Sequence, residues 1–123
     1  MLSINNVIYG KPESRQEAID RWRSMRGGSG ELLTGYALLA PGKEPLVRYR
    51  MTKVFFANVT DAEIEAYIDT GEPMHCAGAF ATDGKGSMFV EKIEGCHTNV
   101  VGLSIPLLRN MMAELGYRAS EFW

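Results

Sequence analysis

Val47-Arg48-Tyr49-Arg50-Met51-Thr52 alternates apolar with polar residues, and Val54-Phe55-Phe56-Ala57 close behind it is apolar at every position. Side chains on a strand point to opposite faces in turn, so the first half reads as a strand with one buried face. The second half is apolar on both faces and should lie beneath other elements. The strand is predicted from Pro45 to Asn58, and the turn Pro41-Gly42-Lys43 joins it to a second strand, Glu31 to Ala40.

Outward from this pair, the chain opens with Leu2 to Tyr9, a hairpin of short β-branched arms around an Asn5-Asn6 turn. Ser14-Arg15-Gln16-Glu17 is a capping box heading a helix. That helix sets Ala18, Ile19, Trp22 and Met25 on one face and stops at Gly27-Gly28. Arg15, Arg21, Arg23 and Arg26 are assigned to its charged solvent side. Thr60-Asp61-Ala62-Glu63 is a second capping box, with Ile64, Tyr67 and Ile68 inward and Gly71 at the end. A glycine-rich stretch, Gly78 to Gly86, leads to a strand from Ser87 to Ile93. Ser104 then caps a helix that turns Leu107, Leu108, Met111, Met112 and Leu115 inward and ends at Gly116. The order predicts one α/β domain (mixed α+β) over residues 1–123, a mixed sheet flanked by helices.

At 123 residues the chain has room for one core. Thirteen Lys and Arg against fifteen Asp and Glu give a charge of −2, without the basic excess of a duplex nucleic-acid binder. No apolar run approaches the ~20 residues of a membrane span, so the partner expected is neither membrane nor duplex nucleic acid. Cys76 and Cys96 are too few for a disulfide scaffold, and reduced thiols in the cytoplasm are the default. His75-Cys76 and Cys96-His97 are numerically a zinc set, but adjacent residues on an extended chain diverge and chelate poorly. No metal ligand is assigned.

Chemistry concentrates in three polar clusters at breaks between elements. In Gly10-Lys11-Pro12, proline restricts its neighbour to extended geometry, so Lys11 is held where it can meet a phosphate as a point charge. The second cluster runs Thr70-Gly71-Glu72-Pro73-Met74-His75-Cys76-Ala77-Gly78, an acid fixed before proline and then small residues. The third, Thr82-Asp83-Gly84-Lys85-Gly86, is not a P-loop: Gly78 and Gly84 enclose five residues rather than four, and Gly86 stands where Ser or Thr would hold magnesium.

Taken in order, these clusters resemble the Maf family, named for septum formation inhibition and understood as nucleoside triphosphate pyrophosphatases. The resemblance runs through Gly10-Lys11-Pro12, Thr34-Gly35, Thr52-Lys53-Val54-Phe55-Phe56, Asp61 to Tyr67, and Gly71-Glu72-Pro73. It continues through Ala77-Gly78-Ala79-Phe80, Gly86 to Gly95, and Asn99-Val100-Val101-Gly102-Leu103. It implies hydrolysis of the α–β phosphoanhydride of a nucleoside triphosphate to a monophosphate and diphosphate, with a divalent cation, Mg or Mn. Lys11 is the implied phosphate and transition-state cation, Asp83 the base-recognition residue, and Glu72 and His75 weaker substrate-binding candidates.

Two departures qualify what is carried over. The family opens on a Ser-x-Ser-Pro-Arg-type loop, then a Glu and a Lys, then a Gly-x-Asp-Thr-like segment whose Asp is the proton acceptor. None of these is in this sequence, so Met1 reads as a late start, and the chain is expected to be N-terminally truncated with impaired catalysis. The second departure concerns the base. The pyrimidine branch carries Asp-Lys and later Tyr-Gly-Ile-Gln-Gly, where this chain has His75-Cys76 and Phe80-Ala81-Thr82-Asp83-Gly84. The His-Cys form is similar to the branch acting on 7-methylguanosine triphosphate, yet His75 with Asp83 matches neither branch fully, and the base stays open. The alternative function is a catalytically inactive nucleotide- or partner-binding module, with homodimer formation open.

Overall fold

The structure, a computed structural model, describes residues 2–5, 7–81 and 83–123. Its strands are β1 (Leu2–Ile4), β2 (Val7–Tyr9), β3 (Ser29–Leu38), β4 (Leu46–Phe56) and β5 (Val90–Glu94). Its helices are α1 (Arg15–Met25), α2 (Asp61–Asp69), α3 (His97–Val101) and α4 (Ile105–Glu114). The strands form one sheet in the order β2-β1-β3-β4-β5, and each neighbouring pair is antiparallel. The α/β class is borne out. The sheet was expected to be mixed, and β1 explains the difference: it lies between β2 and β3, so the crossover through α1 skips a strand and leaves no parallel neighbours. No helix among the described residues is long and apolar enough to cross a membrane.

The opening hairpin pairs Leu2 with Tyr9 and Ile4 with Val7, and Asn5 takes the positive φ of 51° that its turn needs. Asn6, the other predicted turn residue, lies outside the described residues, as does Thr82 of the third cluster. Both helix starts form where capping chemistry predicts. Thr60 and Glu63 exchange side-chain to backbone bonds at 3.1 and 3.0 Å. At α1 the box is displaced: Ser14 caps Glu17 N–H, but the Glu17 carboxylate returns to Glu13 N–H rather than to Ser14.

The buried face of β4 is the reverse of the one its alternation suggests. Val47, Tyr49 and Met51 are exposed, whereas Thr52, Val54 and Phe56 are buried. Strand periodicity is two, so the inward Val54 and Phe56 commit Thr52, Arg50 and Arg48 to the same side. There Arg48 pairs with Glu114 of α4, and Thr52 donates to the Cys96 carbonyl. Phe55, expected beneath another element, is half-exposed between the ammonium groups of Lys53 and Lys92, 5.0 and 4.5 Å from its ring centroid.

The core is built around Trp22. Its indole meets Phe56, Phe89, Tyr67 and Phe80 edge-on, with centroids 5.3 to 6.4 Å apart. Ala18, Ile19 and Met25 of α1 and Ile64 and Ile68 of α2 complete it. Of the four arginines assigned to solvent, Arg15, Arg23 and Arg26 lie at the surface between α1 and α2, paired with Asp69 or Asp61. Arg21 is buried, which corrects that assignment. Residues 18, 21, 22 and 25 form one i, i+3, i+4, i+7 stripe, so helical geometry takes Arg21 inward with its apolar neighbours.

Candidate active site

Hydrogen bonds tie the three polar clusters to one another. The Gly10 carbonyl accepts from Gly78 N–H at 3.3 Å and from Arg21 Nη1 at 2.6 Å. This joins the Lys11 loop to the loop after α2. Arg21 Nη2 donates to Glu17 Oε1 at 2.9 Å, and its guanidinium lies 4.9 Å from the Tyr9 ring centroid. The Trp22 indole N–H reaches the Ala79 carbonyl at 2.7 Å. Gly78 and Ala79 both have positive φ, 82° and 63°. For Ala79 that conformation is strained, and the buried indole bond helps to hold it.

Glu72 clamps the second cluster to the third. Its carboxylate accepts from the Tyr67 hydroxyl, from Lys85 N–H at 3.0 Å and from Gly86 N–H at 2.9 Å. The bonds cap a 3₁₀ turn, Lys85–Phe89, so β5 begins at Val90 and not at the predicted Ser87. Room for the carboxylate depends on Gly84, where an added Cβ would overlap Glu72 Oε1. Burial works to raise the carboxyl's pKa, but the Tyr67 hydroxyl and the two amides outweigh it and hold the group below its ordinary range. Burial, with the Glu72 bond, pushes the Tyr67 phenol up.

A depressed folded-state pKa contributes stability that is complete above the unfolded value and is lost as pH falls through the folded one. Glu72→Gln is therefore expected to destabilise the fold by about 1–3 kcal/mol at pH 7. The gap from wild type should close as pH falls below about 4. Urea midpoints across that range measure it, and a gap independent of pH would contradict the clamp.

A cleft of about 400 Å³ opens beside this assembly, lined among others by Leu32, Thr34, His75, Cys76, Phe80, Asp83 and Asn99. That volume suits a small ligand. His75 and Asp83 are exposed on its wall, whereas Leu32, Phe80 and Asn99 are buried. Asn99, which sequence reading gave no role, braces the cleft. Its amide donates to the Arg50 carbonyl and Thr52 Oγ1 at 3.1 and 3.2 Å, and its carbonyl accepts from the Tyr36 hydroxyl.

Lys11 is exposed and does not line the cleft; the Gly10–Gly78 bond connects its loop to the wall that carries Cys76. The Cys76 thiol registers the surrounding charges: burial and the Glu72 and Asp83 carboxylates push it up, against the Lys11 ammonium. A larger depression of about 530 Å³ runs between Leu38–Pro41 and Leu108, Met112, Leu115, Tyr117 and Phe122. Its lining carries no charge, so it does not suit a polyphosphate.

The two His-Cys pairs belong to separate networks. Cys76 Sγ donates to the Glu72 carbonyl at 3.4 Å. Cys96 Sγ accepts from the Ser104 hydroxyl and shares a hydrogen bond with the Thr98 hydroxyl, and the two bring its thiol down to about 7. Among the described residues no group of three or more His, Cys, Asp or Glu gathers around a point that could hold a metal ion. Glu72 is committed to its clamp and Asp83 is a single carboxylate, so the side chains of the described residues do not form a divalent-cation site.

A family model described as "Maf-like protein" matches residues 1–115. A protein of Gloeothece citriformis named nucleoside triphosphate pyrophosphatase is 56% identical over 124 aligned residues, covering 100% of this chain and 63% of the relative. The protein of the same name from Trichodesmium erythraeum is also 56% identical, covering 100% of this chain and 61% of the relative. That from Nostoc punctiforme is 54% identical, with 100% and 63% covered. The chain thus spans about three-fifths of the length of the curated relatives it matches.

Proposed function

The chain belongs to the Maf family, and from that premise we propose that it hydrolyses the α–β phosphoanhydride of a nucleoside triphosphate to a monophosphate and diphosphate. The observation that carries the reading is the Gly10–Gly78 bond, which ties the Lys11 loop to the segment that supplies Cys76 and Phe80 to a cleft of about 400 Å³ also lined by Asp83. The relatives' name supplies the reaction class.

Water attacks the α-phosphorus and gives up its proton to solvent, the bond from the α-phosphorus to the bridging oxygen breaks, and negative charge grows on the departing diphosphate. The Lys11 ammonium, on backbone fixed at Gly10 and followed by the buried Pro12, neutralises that charge as it develops. Glu72 takes no part in the chemistry. It positions the 84–86 backbone and so the neighbouring Asp83. His75 and Cys76 line the cleft together with Asp83, and this is the end proposed to take the base. The divalent cation that the family resemblance implies finds no ligand set among the described residues, and no step is assigned to it.

Asp83 is the residue that reads the base. A carboxylate accepts from guanine N1–H and N2–H, whereas a pyrimidine O4 needs a donor. A hydrogen bond to a charged acceptor is worth about 1.5–3 kcal/mol, one to two decades of discrimination. Asp83→Gln is therefore expected to move preference by that factor from guanosine-type toward uridine or thymidine triphosphate. Diphosphate release across a nucleotide panel, 7-methylguanosine triphosphate included, measures the shift. Identical profiles for the two proteins would remove Asp83 from base recognition.

A further inference from the structure

Arg21 lies on the apolar stripe of α1 with 5% of its surface exposed. Packing does not explain a guanidinium there. Burying a charge carries a desolvation cost of several kcal/mol, and apolar replacements of buried ion pairs are often neutral or stabilising. Its contacts show what the charge serves. Nη1 donates to the Gly10 carbonyl at 2.6 Å, Nη2 is held by Glu17, and the guanidinium is stacked on Tyr9. Glu17 is itself fixed by Glu13 N–H at 3.0 Å. The carbonyl that Arg21 grips immediately precedes Lys11 and also receives Gly78 N–H, from the segment between Cys76 and Phe80 of the cleft lining. One buried fork therefore sets the backbone from which Lys11 projects and the junction between its loop and the cleft.

We propose that Arg21 is the positioning residue for Lys11, fixing the Gly10 carbonyl so that the ammonium meets the polyphosphate from one direction. The proposal rests on the reading above that Lys11 serves the phosphates. It makes stability and function diverge. Arg21→Met keeps an unbranched side chain on the stripe, and because the Glu17 carboxylate it leaves is half-exposed and still accepts from Glu13 N–H, the thermal midpoint falls only slightly. The substitution lowers kcat by about tenfold to a hundredfold, the scale of a 1 Å misplacement of a reacting group, with little change in KM. Arg21→Lys, which keeps one donor for Gly10 but not the fork, falls between the two.

A double-mutant cycle on diphosphate release tests it, comparing Arg21→Met, Lys11→Ala and the double variant with the unaltered chain. If Arg21 acts through Lys11, Arg21→Met costs nothing further in the Lys11→Ala background. An equal fold-loss in both backgrounds would overturn the proposal. Amide hydrogen exchange at Gly78 provides a readout apart from turnover: it is expected to quicken in Arg21→Met and to stay unchanged in Lys11→Ala. Unaltered Gly78 exchange in Arg21→Met would overturn the claim that Arg21 fixes this junction. Turnover unaffected by Lys11→Ala would instead overturn the phosphate reading and the catalytic consequence with it, and the exchange result tells the two failures apart.

Discussion

Lys11→Ala is expected to lower diphosphate release by about 10²–10³-fold, the loss that follows removal of one preorganised transition-state donor. Gly10 is held at its carbonyl from two directions and Pro12 is buried, so the backbone on both sides of Lys11 is fixed. Among the described residues no carboxylate pairs with the ammonium, which leaves it free for a ligand. On the proposed function the charge it meets grows as the diphosphate leaves, so the loss should fall on kcat more than on KM. Lys11→Arg, which keeps a cation in a different shape, should recover part of the rate. Steady-state diphosphate release reads each effect, and an unchanged rate in Lys11→Ala would take Lys11 out of the site.

Trp22→Ala is expected to destabilise the fold by about 3–5 kcal/mol, a large share of the 5–15 kcal/mol that a domain of this size holds. The indole is fully buried and meets four aromatic rings carried by β4, α2 and the chain segments on either side of Asp83. Its N–H also satisfies the carbonyl of Ala79, a residue with left-handed backbone. Trp22→Phe separates these roles. It keeps most of the aromatic packing but leaves the Ala79 carbonyl unpaired, at about 1–3 kcal/mol. Urea unfolding measures both variants. A loss in Trp22→Ala below about 1 kcal/mol would show that the core does not depend on this ring.

The helices were legible because their signals are local. Ser14 and Thr60 announce the starts of α1 and α2, and the inward residues Ile64, Tyr67 and Ile68 follow from spacing alone. The face of β4 was not legible from its own first half. Val47, Tyr49 and Met51 look like a buried row, but Val54 and Phe56 further along set the inward side. The start of β5 was lost for a long-range reason: Glu72, from another loop, captures Lys85 and Gly86 in a turn.

At the candidate site, sequence found the loops but not what fastens them. Gly10-Lys11-Pro12 and the Glu72 and Asp83 segments stand out by composition, whereas Arg21 reads as one more charge on a basic helix face. Its position on the stripe of residues 18, 21, 22 and 25 is the signal the sequence carries, and it competes with the rarity of fully buried arginine. Asn99 gave no such signal, because its partners Arg50, Thr52 and Tyr36 lie on two distant strands.

The central claim is that one nucleotide spans from Asp83 to Lys11, and titration with an α,β-methylene guanosine triphosphate, followed by amide NMR, tests it most directly. The non-cleavable bridge separates binding from turnover. The account predicts that the Lys11 and Asp83 amides shift together along one binding curve, and that guanosine monophosphate moves Asp83 while leaving Lys11 nearly still. Shifts confined to one of the two loops, or centred on another part of the surface, would contradict it.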